Sequence, residues 1–362
     1  MKSPSANYIP TLDGWRAVAI LLVLFEHASF RTFRPVGWTQ LGGHGVEIFF
    51  VLSGFLITGK LLEDNSLSRF YTRRVFRILP ILFAYVAAVS VLGFALHRIP
   101  LLGSEVAASL LFVRNYCLFP LMTTTGLGWF TGHLWSLSIE EQFYLVWPLV
   151  LLRFAKSSLR GRMLAAALLF ASYLAILVLV HAGRILHLGG WHWIPNLSYA
   201  GLIVGCILRI ALTDANATAL LNKLFLGRSM LVVALVALYI GLFHARVTIF
   251  DPVVCGAAVC ATLVEPNGLV GRWLEFSALR WIGRLSYSLY IWQQIFLGFG
   301  VDYRPFGFFS QFPMNLAAIV IVASLSYYLL ERPMMRLGHE LTSRLAPLKP
   351  KLNSPVLAKS SF

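Results

Sequence analysis

Apolar runs fill most of this chain, and the few ionisable residues inside them sit at helical spacing. Stretches almost free of charge recur along the whole length, among them LAAALLFASYLAILVLV (164–180) and MLVVALVALYIGLF (230–243). Runs of this length predict helices that cross a hydrocarbon layer about 30 Å thick. Ten spans are predicted, centred on 17–31, 44–60, 79–97, 134–152, 163–181, 196–212, 226–243, 250–264, 281–299 and 313–330. The expected fold class is all-α, a polytopic transmembrane helical bundle of about ten spans.

Composition supports that pattern. The 362 residues are 58% hydrophobic and only 12% charged, against about 45–50% apolar and 25% charged in soluble domains. The formal net charge of +15 raises nucleic acid as a partner, but its distribution argues against one. Most Lys and Arg fall in alternate loops, on one side of the predicted layer. The positive-inside rule then puts both termini in the cytoplasm, and anionic lipid accounts for the rest of the excess. The four cysteines, Cys117, Cys206, Cys255 and Cys260, sit in apolar context without metal-ligand spacing and read as core residues. No small-residue cleavage site follows the first run, so no cleavable signal is expected. Residues 1–335 form one expected transmembrane domain, and 336–362 a basic, poorly ordered cytoplasmic tail.

The opening run RAVAILLVLFEH (16–27) ends in ionisable groups on both sides. Eleven helical steps overshoot three turns by only about 20°, so Arg16 and His27 share a face, about 16 Å apart along the axis. With Arg16 at the inner interface, His27 lies near the middle of the membrane, where ionisable groups face a bundle interior or a watery cavity. The alternative is a snorkelling arginine and an interhelical histidine. A second cluster is GHLWSLSIEEQFYLVWP (132–148), in which His133, Ser136, Glu140 and Tyr144 follow one helical face. Counting inward places Glu140 about 10 Å and His27 about 14 Å below the outer interface. A His–carboxylate pair between them, or a plain interhelical bond, fits that depth.

Two further segments carry charge. In RFYTRRVFRILP (69–80), Arg73, Arg74 and Arg77 can crowd one helical surface and suit phosphate oxygens, although inner loops are basic in any case. In GGHGVEIFFVLSGFLIT (42–58), Glu47 lies just inside the outer interface with His44 one turn earlier. RLSYSLYIWQQIF (284–296) alternates hydroxyls with aromatics, and YYLLERPMMR (327–336) sets Glu331 beside Arg332.

Taken in order, these segments resemble the acyltransferase-3 family of integral membrane acyltransferases. The resemblance rests on Arg-x10-His, GVEIFFVLSGFLI, RRVFR, HLWSLSIEEQFYL, SYSLYIW and the closing LERP, and spans residues 16 to 333. It implies a ten-helix fold that moves an acyl group, usually acetyl, from cytoplasmic acyl-CoA to a hydroxyl of a cell-surface or exported carbohydrate, such as O-antigen or exopolysaccharide, at a bacterial inner membrane. It also implies that His27 is the catalytic histidine and Arg16 its partner arginine. Arg74 and Arg77 then fit the donor site, with Arg73 beside them, and Glu140 matches the family's glutamate after Trp-Ser-Leu. Where the family often has His-x-Pro after SYSLYIW, this chain has Gln293, Gln294 and Ile295. Glutamine cannot shuttle a proton, so no catalytic role is expected there.

The expected mechanism places acyl-CoA phosphates on the arginines and the thioester beside His27, which acts as general base or forms an acyl-histidine. Glu140, with Glu47, would orient the imidazole. His133, Trp135, Ser136 and Tyr144 are candidate acceptor contacts. No tightly bound cofactor and no metal are expected. The competing class is a proton-coupled transporter or lipid-linked sugar flippase, with His27 and Glu140 relaying protons.

Overall fold

The computed structural model describes residues 8–32, 41–116, 127–155, 159–185, 199–243, 250–297 and 306–344. Among these residues there is helix and no strand. The helices are α1 (Pro10–Thr32), α2 (Leu41–Glu63), α3 (Leu67–Ser90), α4 (Gly103–Leu110), α5 (Trp129–Gly132), α6 (Leu134–Ala155), α7 (Leu159–Ile185) and α8 (Tyr199–Ala211). They continue as α9 (Ala215–Phe225), α10 (Ser229–Leu242), α11 (Asp251–Val264), α12 (Leu269–Leu274), α13 (Ser277–Phe296), α14 (Met314–Ser326) and α15 (Arg332–Arg344). Two π-helical turns, Val91–Ala95 after α3 and Tyr327–Glu331 between α14 and α15, interrupt the regular winding.

Local chemistry explains several boundaries. Pro10, which has no N–H to leave unpaired, opens α1. Ser66 caps α3 by accepting from the Arg69 backbone N–H at 3.3 Å, and Asp214 caps α9 from Ala217 at 2.8 Å. At its C-terminal end, α1 closes the start of α2, because the Glu26 carboxylate accepts from the Gly42 backbone N–H and complements the helix dipole there.

At the centre, α1 lies between α2 and α13, and α2 packs along α8. These contacts are close because the facing residues lack side chains. A Cβ on Gly54 would strike the Leu202 carbonyl, and one on Gly205 the Val51 carbonyl. Further out, α6 packs on α2 and α7, α11 on α2, α8 and α10, and α3 on α15. The interior is aliphatic and aromatic, with Ile20, Phe50, Leu82 and Trp147 almost wholly enclosed.

Each predicted span is largely helical among the described residues. Among the described residues, three segments are long and apolar enough to cross a membrane alone: Leu41–Glu63, Leu67–Ala95 and Met314–Arg344. The pair Tyr199–Ala211 and Ala215–Phe225, bent by 111°, makes a fourth when taken as one. Large apolar side chains also face outward, including Leu231, Leu235, Leu238 and Leu242 along α10, as a lipid-facing surface requires. Cys206, Cys255 and Cys260 are buried and free, whereas Cys117 lies outside the described residues.

Two expectations need correction. The third span was expected to start at 79 with the arginines in a loop before it, yet the helix begins at Leu67 and carries them inside it. The tail was expected to be poorly ordered from 336, yet residues 332–344 form α15 on the flank of α3. That helix buries Gly338 and Thr342, one turn apart, on one face. Residues beyond 344 lie outside the described residues.

Candidate active site

Two polar groups occupy the interior, at opposite ends of the Arg16–His27 stretch of α1. The group at the Arg16 end gathers guanidinium and carboxylate side chains from four elements. Arg77 of α3 has Arg16, Arg74, Glu331 and Tyr144 as electrostatic neighbours. Arg74 faces Tyr144, Glu141 and Glu140 of α6, its Cζ 3.8 Å from the Tyr144 ring centroid. Glu331, in the π turn before α15, accepts from Ser288 Oγ at 2.8 Å and neighbours Arg77 and Arg16. The Tyr144 hydroxyl donates to Ser53 Oγ at 2.7 Å, and Ser53 donates to Glu140 Oε1 at 2.6 Å. Three arginines are thus balanced by Glu140, Glu141 and Glu331, which is what makes buried guanidinium groups tolerable.

The balance leaves donors over. Among the described residues, no side-chain hydrogen bond or ion pair ties Arg16 or Arg77 to a partner, and the buried Arg74 Nε has no hydrogen-bond acceptor. Clustered guanidinium forks with N–H donors to spare are suited to phosphate oxygens.

The second group surrounds His27. Its Nδ1 lies 3.1 Å from Gln293 Oε1 of α13, and Trp129 of α5 packs edge-on at 5.5 Å between centroids. The ring therefore faces the interior. His133, between α5 and α6, is an electrostatic neighbour of His27 and is buried. His133 Nε2 lies 3.1 Å from the Ile291 carbonyl. A carbonyl can only accept, so Nε2 carries the proton and Nδ1 is left with a bare lone pair. That Nδ1 is buried without a hydrogen-bond partner among the described residues. Tyr290 donates to the His133 carbonyl at 2.6 Å, and its oxygen is also 2.6 Å from Ser136 Oγ. Trp135 is half-buried against Phe50, with centroids 6.3 Å apart.

The structure thus unites Arg16, Arg74, Arg77, Glu140 and Tyr144 at one end, and His27, His133 and Ser136 at the other. It does not unite all the predicted residues. Arg73 turns the opposite way from Arg74, and its Nε donates to Thr342 Oγ1 of α15 at 3.0 Å. The 100° step between adjacent helical positions separates the two. Glu47 is buried against α8, where a Cβ on Gly201 would meet its Oε2, and it neighbours Cys255 of α11. His44, expected beside Glu47, instead pairs through Nδ1 with Asp251 Oδ2 at 2.5 Å, and Tyr239 donates to the same carboxylate at 2.6 Å.

Glu140 was expected to orient His27, but the two make no hydrogen bond, and Gln293 holds the ring instead. Gln293, Trp129 and Glu141 carry more of the site than sequence reasoning assigned them. Glu141 was visible as half of an acidic doublet. Nothing along the chain linked Gln293 to a histidine 266 positions away.

The peptidoglycan O-acetyltransferase OatA of Listeria monocytogenes is 29% identical over 92% of this chain and 57% of its own length. The putative peptidoglycan O-acetyltransferase YrhL of Bacillus subtilis is 29% identical over 95% of this chain and 57% of its own. For the O-acetyltransferase OatA of Staphylococcus aureus the identity is 26%, over 98% of this chain and 62% of that protein. The chain therefore spans about six-tenths of the length of the curated relatives it matches. No solved structure matches. The family profile described as an acyltransferase domain matches residues 9–331, which takes in Arg16, His27, both α3 arginines, the α6 face and Glu331, and the chain belongs to that acyltransferase family.

Proposed function

We propose that this protein is a multi-pass O-acyltransferase of a bacterial inner membrane, with about ten spans and both termini in the cytoplasm. It takes an acyl group, acetyl in the simplest case, from cytoplasmic acyl-CoA and passes it to a hydroxyl of a cell-surface or exported carbohydrate. The relatives' names, which specify peptidoglycan, support a glycan acceptor. The observation that carries the reading is the pairing of a cluster of guanidinium groups at one end of α1 with an interior imidazole about three turns, or 16 Å, away.

In this reading Arg77, Arg74 and Arg16 bind the donor's phosphates from the cytoplasmic side. The thin pantetheine arm runs along α1 and brings the thioester to His27. His27 accepts the proton of the attacking hydroxyl as general base. Burial restricts water, which would otherwise hydrolyse the thioester. The Tyr144–Ser53–Glu140 chain holds the α6 carboxylate beside the arginines, so Glu140 serves the donor end rather than the imidazole. His133 and Ser136 lie on the acceptor side of His27.

Acetyl-CoA binding to the purified protein in detergent tests the donor site. Arg77→Ala is expected to weaken it about tenfold or more, the scale of a lost charge-assisted hydrogen bond, and Arg77→Lys to recover only part of that. Arg73→Ala, on the other face of α3, is expected to leave the affinity within twofold. An unchanged dissociation constant for Arg77→Ala would remove the arginines from the donor site.

A further inference from the structure

The short α5, Trp129–Gly132, carries the indole that packs edge-on against His27. A single turn of helix has no stability of its own, so its placement comes from outside. Trp129 Nε1 donates to the Gln294 carbonyl of α13 at 3.2 Å, and the Tyr85 hydroxyl of α3 donates to the Phe130 carbonyl at 2.5 Å. A buried charge supplies a further hold. Arg114, in the 3₁₀ turn Arg114–Tyr116 after α4, has no exposed surface. Its Nη2 donates to the Gly128 carbonyl at 3.3 Å and its Nε to Thr131 Oγ1 at 3.1 Å. One guanidinium fork thus spans α5, from the residue before it to its third position. Glu105 of α4, almost wholly enclosed, lies 3.9 Å from the same Nη2 and accepts from Thr131 Oγ1 at 3.5 Å. The Arg114 backbone N–H donates to Ser138 Oγ of α6 at 3.2 Å.

We propose that Arg114 is a positioning residue of the acyl transfer, an inference that rests on the acyltransferase reading. It acts through α5, fixing the turn so that the Trp129 ring stays against the imidazole. His133 directly follows α5 and is an electrostatic neighbour of both Arg114 and His27, so the hold lies close behind the His27 group. Stability alone does not account for such a pair, because replacing a buried ion pair with uncharged groups of similar volume is often neutral or stabilising. Direction does account for it. Two N–H groups in one rigid plane set both the distance and the rotation of α5, and a small displacement of groups around a reacting centre is enough to slow a reaction.

The test uses the full chain in detergent, with acetyl-CoA as donor and soluble peptidoglycan fragments as acceptor. The double variant Arg114→Met/Glu105→Gln removes both charges together, so no unpaired ion is left in the interior. It is expected to elute as wild type does on gel filtration. Acetyl-CoA affinity should stay within about twofold, since the guanidinium cluster at the Arg16 end is untouched, while kcat falls by about 10–10²-fold. Arg114→Lys keeps the charge and loses the fork, and is expected to lower kcat by a smaller factor. A folded double variant with kcat within about threefold of wild type would overturn the proposal. If that variant does not fold, Arg114→Lys at the wild-type kcat would overturn it equally.

Histidine-selective ¹⁵N NMR reads the placement without turnover, with the His27 signal assigned by its loss in His27→Ala. Trp129→Ala removes the ring current acting on this signal, and the Arg114 variants are expected to shift it in the same direction. A role in stability alone would lower the melting temperature and leave the signal in place, so an unmoved His27 signal in a variant of lowered kcat would also overturn the proposal. Absence of acetyl transfer by the wild-type protein would overturn the acyltransferase reading and the proposal with it. Arg114 variants of unchanged kcat beside an active wild type would overturn the positioning role alone.

Discussion

His27 illustrates how much a single position depends on its neighbours. Its place on α1, one face from Arg16, follows from helical spacing alone, but its chemistry follows from Gln293 and Trp129. An imidazole presented to lipid would have no route to a polar substrate; one held by a buried carboxamide can keep a defined tautomer. Replacing His27 with Ala is therefore expected to abolish acetyl transfer while the protein remains inserted and monodisperse, as gel filtration in detergent would show. Transfer at the wild-type rate would exclude the general-base role. Arg73 and Arg74 give the complementary case, adjacent arginines of one type with different surroundings, Thr342 for one and the Tyr144 ring for the other. Residue type alone could not separate them, because helix orientation about its own axis is set by what packs on each face.

Among the elements, α3 shows how a basic helix start is secured. Asp64, in the short connection from α2, accepts from Arg69 Nε at 2.8 Å and from Nη2 at 2.5 Å, a two-pronged pair. The hydrogen bond from Arg69, helped by the Ser66 backbone N–H, holds the Asp64 carboxyl below the ordinary carboxylate range. A lowered folded-state value stabilises the fold above the unfolded-state pKa, and that contribution disappears as pH falls through the lowered value. Thermal unfolding should therefore show Asp64→Asn less stable than wild type near neutral pH, with a small gap for a surface pair. The gap should close in strong acid. A gap that persists or widens below the usual carboxylate range would rule out the charge as its cause. This connection also explains why the basic run is helical: Ser66 caps it and Asp64 anchors it, two signals present in the sequence at the required offsets.

At the level of the whole molecule, the polar interior is built by helices far apart in the chain. Residues of α1, α2, α3, α5, α6, α13 and the turn before α15 surround the line from Arg16 to His27. The same bundle turns apolar side chains outward along α10, so the polar line lies inside and the lipid-facing surface outside. In the proposed orientation, a fluorescent protein fused after Phe362 is expected to fluoresce in cells, and alkaline phosphatase fused there to be inactive. The reverse pair of results would invert the orientation and place the arginines on the wrong side for a cytoplasmic donor.

What the sequence determined by itself was the helical, membrane-compatible character of the chain and the shared face of Arg16 and His27. Those features depend on periodicity and composition, which are local. The pairing of His27 with Gln293, the separation of Glu140 from His27, the seat of Glu47 against Gly201, the turn of Arg73 toward α15 and the helix over 332–344 were decided by tertiary structure. Each depends on which helices touch and how each is rotated about its axis. Close glycine contacts such as Gly54 and Gly205 set that rotation through shape, and shape between segments hundreds of residues apart leaves no periodic mark along the chain.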